Sequence, residues 1–141
     1  MLFENNRDAL RKKYLDTWHK HVNHLPLEPL ESQILDVMLM HPEYHRIVES
    51  KEISHQDYLA ESGQTNPYLH MGLHLGLREQ LQTDRPSGIR TIHQNLCMKL
   101  GDPHQAEHLM MECLAQVLWE AQRNRSTPDE RVYLEYLKNL Q

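Results

Sequence analysis

Residues 66–80 read NPYLHMGLHLGLREQ, and this stretch decides the fold class because it joins a helix start signal to helical spacing of apolar residues. Asn66 precedes Pro67. An Asn side chain caps exposed backbone N–H groups, and proline is tolerated at the first helical position, where its missing N–H leaves no gap. Leucines recur every four residues at positions 69, 73 and 77, which places them on one helix face. The stretch predicts a helix over residues 67–82.

The same start signal recurs along the chain. Asp102-Pro103 and Thr127-Pro128 repeat it, and Glu130 completes a Thr-x-x-Glu capping box. Gly101 supplies a stop before the second of these starts. The predicted helices span residues 5–22, 29–40 with a continuation over 42–49, 67–82, 86–100, 103–123 and 128–139. Strand-like alternation and hairpin dipeptides are absent from the sequence. We therefore predict an all-α protein, a single-domain helical bundle of five to six helices over residues 1–141.

Composition points to an ordinary globular protein. The chain has 141 residues, of which 39% are hydrophobic and 25% are charged, as in a soluble domain. Its longest purely apolar run covers residues 37–40, far short of the roughly 20 residues of a membrane span. The opening MLFENNRDAL has acidic residues where a signal peptide carries an apolar stretch. Cys97 and Cys113 show no close pairing, so reduced thiols are expected. A cytoplasmic protein without a membrane partner is predicted.

Charge and motifs limit the partners that we expect. The net charge is -5, and the small basic excess in the first helix is no dense basic stripe, so nucleic-acid binding is not favoured. No Gly-rich phosphate loop indicates a nucleotide cofactor. Partners therefore stay unknown. An amphipathic strip on the last helix either closes the bundle or forms a homodimer contact; it consists of Tyr133, Tyr136, Leu137 and Leu140.

The eleven histidines are unusually often four residues apart. Chance predicts about 0.8 such pairs, and the sequence has three, at positions 41/45, 70/74 and 104/108. Two histidines at this spacing on a helix present two nitrogens to one point, which is the geometry of a divalent-metal site. Imidazole together with carboxylate and without paired thiolates suits zinc, iron, manganese or nickel.

The candidate metal ligands come from three helices. His70 and His74 lie in the leucine-rich helix. Glu107 falls within the apolar face of the helix over 103–123, where a carboxylate needs a cation, a donor or a proton. His41 and His45 continue the face of the second helix; if that helix restarts at Pro42, His41 becomes a cap residue and only His45 keeps an inward direction. The full candidate set is His41, His45, His70, His74, Glu107, His108 and Glu112.

Other interpretations remain open. The alternative is a metal-free helical interaction or structural protein whose histidines belong to the core, and Glu107 then pairs with a buried histidine or Arg78. A pH switch is a third possibility in a histidine-rich protein. No catalytic motif is recognisable, so the sequence does not decide whether the protein is an enzyme. The polar connection over residues 50–65 is a candidate cover for a site.

Several long motifs resemble one protein family. They include MLFENNRDALRKKYLDTWHKH at 1–21, GQTNPYLHMGLHLGLREQ at 63–80, DRPSGIR at 84–90 and AEHLMMECLAQVLWEAQR at 106–123. Together they resemble the bacterial family known as domain of unknown function 1841. The resemblance implies a small single-domain bacterial protein of uncharacterised activity, and it carries no catalytic residue onto this chain.

Overall fold

The structure is a computed structural model that describes residues 7–49 and 66–141. These residues form α-helices and no strand, which confirms the all-α prediction. In chain order the α-helices are α1 Arg7–Val22, α2 Pro29–Leu39, α3 His45–Glu49, α4 Pro67–Thr83, α5 Ile89–Leu100, α6 Pro103–Arg123 and α7 Glu130–Asn139, and a 3₁₀ turn, Pro42–Tyr44, precedes α3. Seven α-helices in the described ranges exceed the predicted five to six, because the segment over 29–49 divides in two.

The chain divides into two compact units, Met1–Met71 and Gly72–Gln141. The single domain over residues 1–141 stays a prediction. The predicted helix start at residue 5 and the possible covering role of residues 50–65 lie outside the described residues. Within residues 7–49 and 66–141, no helix is both long enough and apolar enough to cross a membrane.

Helix starts follow the cap chemistry that the sequence indicates, with one correction. Asn66 Oδ1 accepts hydrogen bonds from the N–H groups two and three residues on, at 3.0 and 3.1 Å. Asp102 Oδ1 does the same at 3.0 and 3.3 Å. At α7 the cap is Asp129, whose side chain accepts hydrogen bonds from the N–H groups of Arg131 and Val132. The Thr127–Glu130 capping box was therefore wrong, because α7 begins at Glu130 instead of Pro128 and Asp129 stands in the capping position.

Glycines mark both ends of α5. Gly88 precedes the helix with a φ of 98°, and Gly101 ends it with a φ of 67°. Both values lie in the left-handed region, which glycine adopts without steric cost. Gly101 confirms the predicted stop, and its N–H donates to the Cys97 carbonyl at 2.9 Å. The predicted start at Pro86 was wrong, because the chain turns through Gly88 before α5 begins at Ile89.

In the first unit, α1 packs against α2 and α3. The buried apolar side chains of this unit are Tyr14, Ile34, Val37, Met38, Val48, Tyr68 and Met71. Glu31 is also buried, with 1% of its surface exposed. Its Oε1 accepts hydrogen bonds from Lys20 Nζ at 2.9 Å and from the Glu28 N–H at 2.8 Å. This carboxylate therefore joins the start of α2 to a cation on α1.

In the second unit, α5, α6 and α7 contact one another around one apolar core. The core residues are Leu77, Ile89, Ile92, Leu96, Ala106, Met110, Met111, Cys113, Leu114, Val117, Tyr133 and Leu137. Tyr133 and Leu137 belong to the amphipathic strip of the last helix. The strip thus closes the core of its own unit, and a homodimer through this helix stays a prediction.

Two predicted helix faces differ from the structure. On α4, Leu69 is 60% exposed, whereas Met71, His74 and Leu77 are fully buried. The face that carries the leucines at 69, 73 and 77 is therefore exposed at its first position, half-buried at Leu73 and fully buried at Leu77. On α6, Leu118 is exposed, and the buried residues are Ala106, Met110, Met111, Cys113, Leu114, Val117 and Ala121.

The two glycines of α4, Gly72 and Gly76, have room for a side chain among the described residues. Among the described residues, a Cβ added at Gly72 would meet no atom within 4 Å. At Gly76 it would meet only a Leu114 side-chain carbon at 3.8 Å, an ordinary van der Waals distance. Neither position therefore needs glycine for space in the part of the chain that the structure describes.

Candidate metal centre

His74 is fully buried and bound to a carboxylate. Its Nδ1 lies 2.8 Å from Glu107 Oε1, and the geometry is that of an N–H donating to a carboxylate oxygen. Arg78, one turn further along α4, donates its Nε–H to the same oxygen at 2.9 Å. The sequence left a buried histidine and Arg78 as alternative partners of Glu107. The structure shows that Glu107 has both.

Glu107 is ionised in this setting. Burial raises the pKa of a carboxyl group, but here the hydrogen bonds from His74 and Arg78 outweigh it and hold the pKa of Glu107 at about 2. An ionised carboxylate can only accept hydrogen bonds. His74 therefore carries its proton on Nδ1 when the ring is neutral, and Nε2 then has the free lone pair.

Two further histidines belong to the same unit, both on α6. The His108 ring centroid lies 4.8 Å from that of His74, with the ring planes at 89°. His108 Nδ1 donates to the His104 carbonyl oxygen at 2.9 Å, which again leaves the lone pair of the neutral ring on Nε2. The His104 ring packs against His108 with the centroids 4.2 Å apart.

In the first unit, His41 and His70 face each other. His41 is 4% exposed, and its Nδ1 donates to the Val37 carbonyl oxygen at 2.8 Å. Its Nε2 lies 3.1 Å from Nε2 of His70. The Tyr44 ring stacks on His41 at a centroid distance of 5.2 Å. Two imidazole nitrogens at this distance either share one proton in a hydrogen bond or direct two lone pairs towards one cation.

After the helix restarts at Pro42, His41 and not His45 is the buried histidine. The restart at Pro42 makes His41 the cap residue of the 3₁₀ turn, as expected, yet His41 is the buried member of the pair. His45 Nε2 bonds to the Met38 carbonyl at 2.7 Å, and its ring lies 4.2 Å from Trp18. The expectation that only His45 points inward was wrong, because the turn redirects the chain before α3.

The structure sorts the predicted ligands by what they contact. Of the described side chains, the histidines that could hold a metal ion are those at positions 41 and 70 in the first unit and at 74 and 108 in the second. Glu107 lies behind His74 as its hydrogen-bond acceptor. His45 is held by a backbone carbonyl, and Glu112 is exposed on α6. His41 and His108 each donate to the carbonyl oxygen of the residue four positions earlier in the chain. This spacing could have indicated their backbone acceptors from the sequence.

Three of the four rings share one hydrogen-bond arrangement. His41, His74 and His108 each use Nδ1 to donate to an oxygen. Histidines that bind metals almost always donate their second ring nitrogen to a carbonyl or carboxylate in this way, which fixes the tautomer and the ring orientation. The arrangement leaves Nε2 of all three neutral rings with a lone pair, which is compatible with a metal site.

The fold and these side chains define an all-α protein with a group of histidines suited to a metal ion. Residues 6–139 match the family described as Domain of unknown function (DUF1841), and the chain belongs to that family. The resemblance noted from the sequence is thereby confirmed. Comparison with curated proteins and with solved structures gave no match.

Proposed function

We propose that this protein binds one divalent transition-metal ion through His70 and His74 of α4, with His41 and His108 as further ligands. The observation that carries the proposal is the Nδ1 hydrogen bond of His41, His74 and His108, each to an oxygen acceptor inside its own unit. These bonds supply the outer support that metal-binding imidazoles require.

The helix itself favours a shared ion. His70 and His74 lie four residues apart on the continuous helix α4, so their Cβ atoms are about 5–6 Å apart and their rings extend from the same side. Two imidazoles in this arrangement bind a single divalent ion. His70 contacts His41 in the first unit, and His74 contacts His108 in the second. Each helix ligand therefore has a second imidazole beside it.

The donor set narrows the choice of metal. Four imidazole nitrogens without a direct carboxylate or thiolate favour zinc or iron(II) over manganese, magnesium and calcium, which prefer oxygen ligands. Four nitrogens complete the tetrahedral shell of zinc. With zinc, the set favours structural metal binding over hydrolysis, because a hydrolytic site keeps one position for water.

Zinc titration of protein without a histidine tag tests the proposal. Calorimetry should find one zinc ion per chain, and His70→Ala/His74→Ala should weaken the affinity at least about 100-fold, since two of four ligands are lost. His19→Ala/His21→Ala is the matched control, because it removes two histidines at the end of α1 and should bind zinc as the parent does. Circular dichroism checks that each variant keeps its helices.

Two results would contradict metal binding. One is sub-stoichiometric metal in the parent protein after growth in metal-replete medium. The other is equal zinc affinity in the parent and the His70→Ala/His74→Ala variant, which would assign the metal to other side chains.

The competing function is a metal-free helical interaction or structural protein, and one observation favours it. The Nε2 atoms of His41 and His70 are 3.1 Å apart, a distance at which one ring donates to the other without a cation. In that case chelation leaves the melting temperature unchanged. A metal bound only by the folded state would instead raise the melting temperature.

A further inference from the structure

The geometry points to Glu107 as a positioning residue that acts on the metal through His74, with Arg78 as the cation that holds Glu107 in place. This inference rests on the proposed metal binding and deepens it. All three side chains belong to the second unit, and one oxygen, Oε1 of Glu107, accepts hydrogen bonds from both His74 Nδ1 and Arg78 Nε.

Burial makes this contact effective. His74 is fully buried, and the Glu107 side chain is 13% exposed, so water competes little for either group. A carboxylate that accepts the Nδ1 proton increases the basicity of the opposite nitrogen and fixes the plane of the ring. Glu107 therefore strengthens Nε2 of His74 as a ligand and sets its direction.

His74 differs from the other supported ligands in the charge of its acceptor. His41 and His108 donate to neutral backbone carbonyls, at 2.8 and 2.9 Å. His74 donates to a carboxylate, and hydrogen bonds to an ionised partner are roughly twice as strong as neutral ones. Among these three rings we infer that His74 is the strongest donor to the metal.

Arg78 gives the arrangement its charge balance. Its guanidinium lies against Glu107 and is 31% exposed, so it compensates the carboxylate while remaining in contact with solvent. The negative charge thus strengthens His74 without adding net charge to the unit. Removing Arg78 should weaken the orientation of Glu107 and so reduce metal affinity less than removing Glu107 itself.

The test is zinc affinity in a set of variants, with cobalt(II) absorption as a spectroscopic readout. Glu107→Gln keeps the size of the side chain and an oxygen acceptor but loses the charge. It should weaken zinc binding about 10–100-fold and change the visible spectrum of bound cobalt. Glu112→Gln is the matched control on α6, where the exposed carboxylate should have no effect. In a His74→Ala background, Glu107→Gln should cause no further loss.

The outcomes distinguish a failure of the proposed metal binding from a failure of the inference about Glu107. A parent that binds no zinc overturns the proposed function and this inference together. A parent that binds zinc, with unchanged affinity and cobalt spectrum in Glu107→Gln, overturns the inference alone. An equal loss with and without His74 also overturns it, because Glu107 would then act by another route. If Glu107→Gln does not fold, Arg78→Gln replaces it, with a fall of a few fold expected and unchanged affinity as the contradicting result.

Discussion

Each unit has a carboxylate withdrawn from water, and the two have different partners. Glu31 in the first unit is 1% exposed and bonds to Lys20 and to a backbone N–H. Glu107 in the second unit bonds to His74 and Arg78. Neither the lysine nor the backbone amide has a second group that could bind a ligand, so the hydrogen bonds of Glu31 stabilise the start of α2. A histidine has a second nitrogen, so Glu107 can influence what that nitrogen binds.

Both carboxylates are held in the charged form, but for different reasons. The Glu28 N–H, followed by the Lys20 ammonium group, lowers the pKa of Glu31. For Glu107 the cost of burial is the largest effect and raises the pKa, yet the His74 and Arg78 hydrogen bonds bring it down to about 2. The comparison teaches that two largely buried carboxylates differ in their partners, and we expect only the one that is bonded to a histidine to affect metal binding.

The largest expected effect is that of zinc on stability. Zinc at about 100 times its Kd should add about 2.7 kcal/mol to the free energy of unfolding, because it binds the folded state only. Calorimetric melting with and without a chelator measures this. Glu31→Gln should show the same zinc-dependent rise in melting temperature as the parent, and Glu107→Gln a smaller one at the same zinc concentration. Equal rises in both variants would remove the distinction between the two carboxylates.

The next effect concerns the structural carboxylate alone. Glu31→Gln should lower the melting temperature of the metal-free protein by several degrees, because Lys20 loses its partner and the start of α2 loses a charged acceptor. Its zinc affinity should equal that of the parent. Glu28→Gln is the control, since the Glu28 side chain is 70% exposed and its contact with Lys13 is 3.6 Å long. A fall as large in Glu28→Gln would mean that burial does not matter here.

The stabilisation by each carboxylate should depend on pH in the chelated protein. A pKa lower in the folded than in the unfolded state gives stability that is complete above the ordinary value of 4.5 and lost as pH falls through the folded value. The parent should therefore exceed Glu31→Gln in stability at neutral pH, and this difference should shrink below about pH 4.5. For Glu107→Gln the difference should also shrink below about pH 4.5 and be lost towards about pH 2. Urea melts across this range measure both, and a difference that grows on acidification would contradict the assignment.

The smallest effect tests the helix that carries His70 and His74. Gly72→Ala should stabilise the protein by about 0.5–1 kcal/mol, because alanine loses less backbone freedom than glycine in a helix and the added Cβ meets no described atom within 4 Å. Zinc affinity should not change, since neither carboxylate is touched. Destabilisation would contradict the space that the described residues leave beside Gly72.

Local chemistry could be predicted from the sequence, and chain direction could not. Asn66 and Asp102 cap helices through their own side chains, and Gly101 ends a helix because glycine adopts a positive φ. The sequence therefore predicts these helix ends. The need of Glu107 for a cation was also predictable, because a charge in an apolar face must be compensated. The burial of His41 instead of His45 was not predictable, since it depends on the direction the chain takes after Pro42. That direction is set by packing within the unit.

X-ray absorption spectroscopy of the zinc-loaded, untagged protein tests the metal site most directly. We predict a first shell of nitrogen ligands at about 2.0–2.1 Å, without sulfur at about 2.3 Å, and outer-shell scattering from three to four imidazole rings. A shell dominated by oxygen, with fewer than two imidazoles, would contradict binding by His41, His70, His74 and His108.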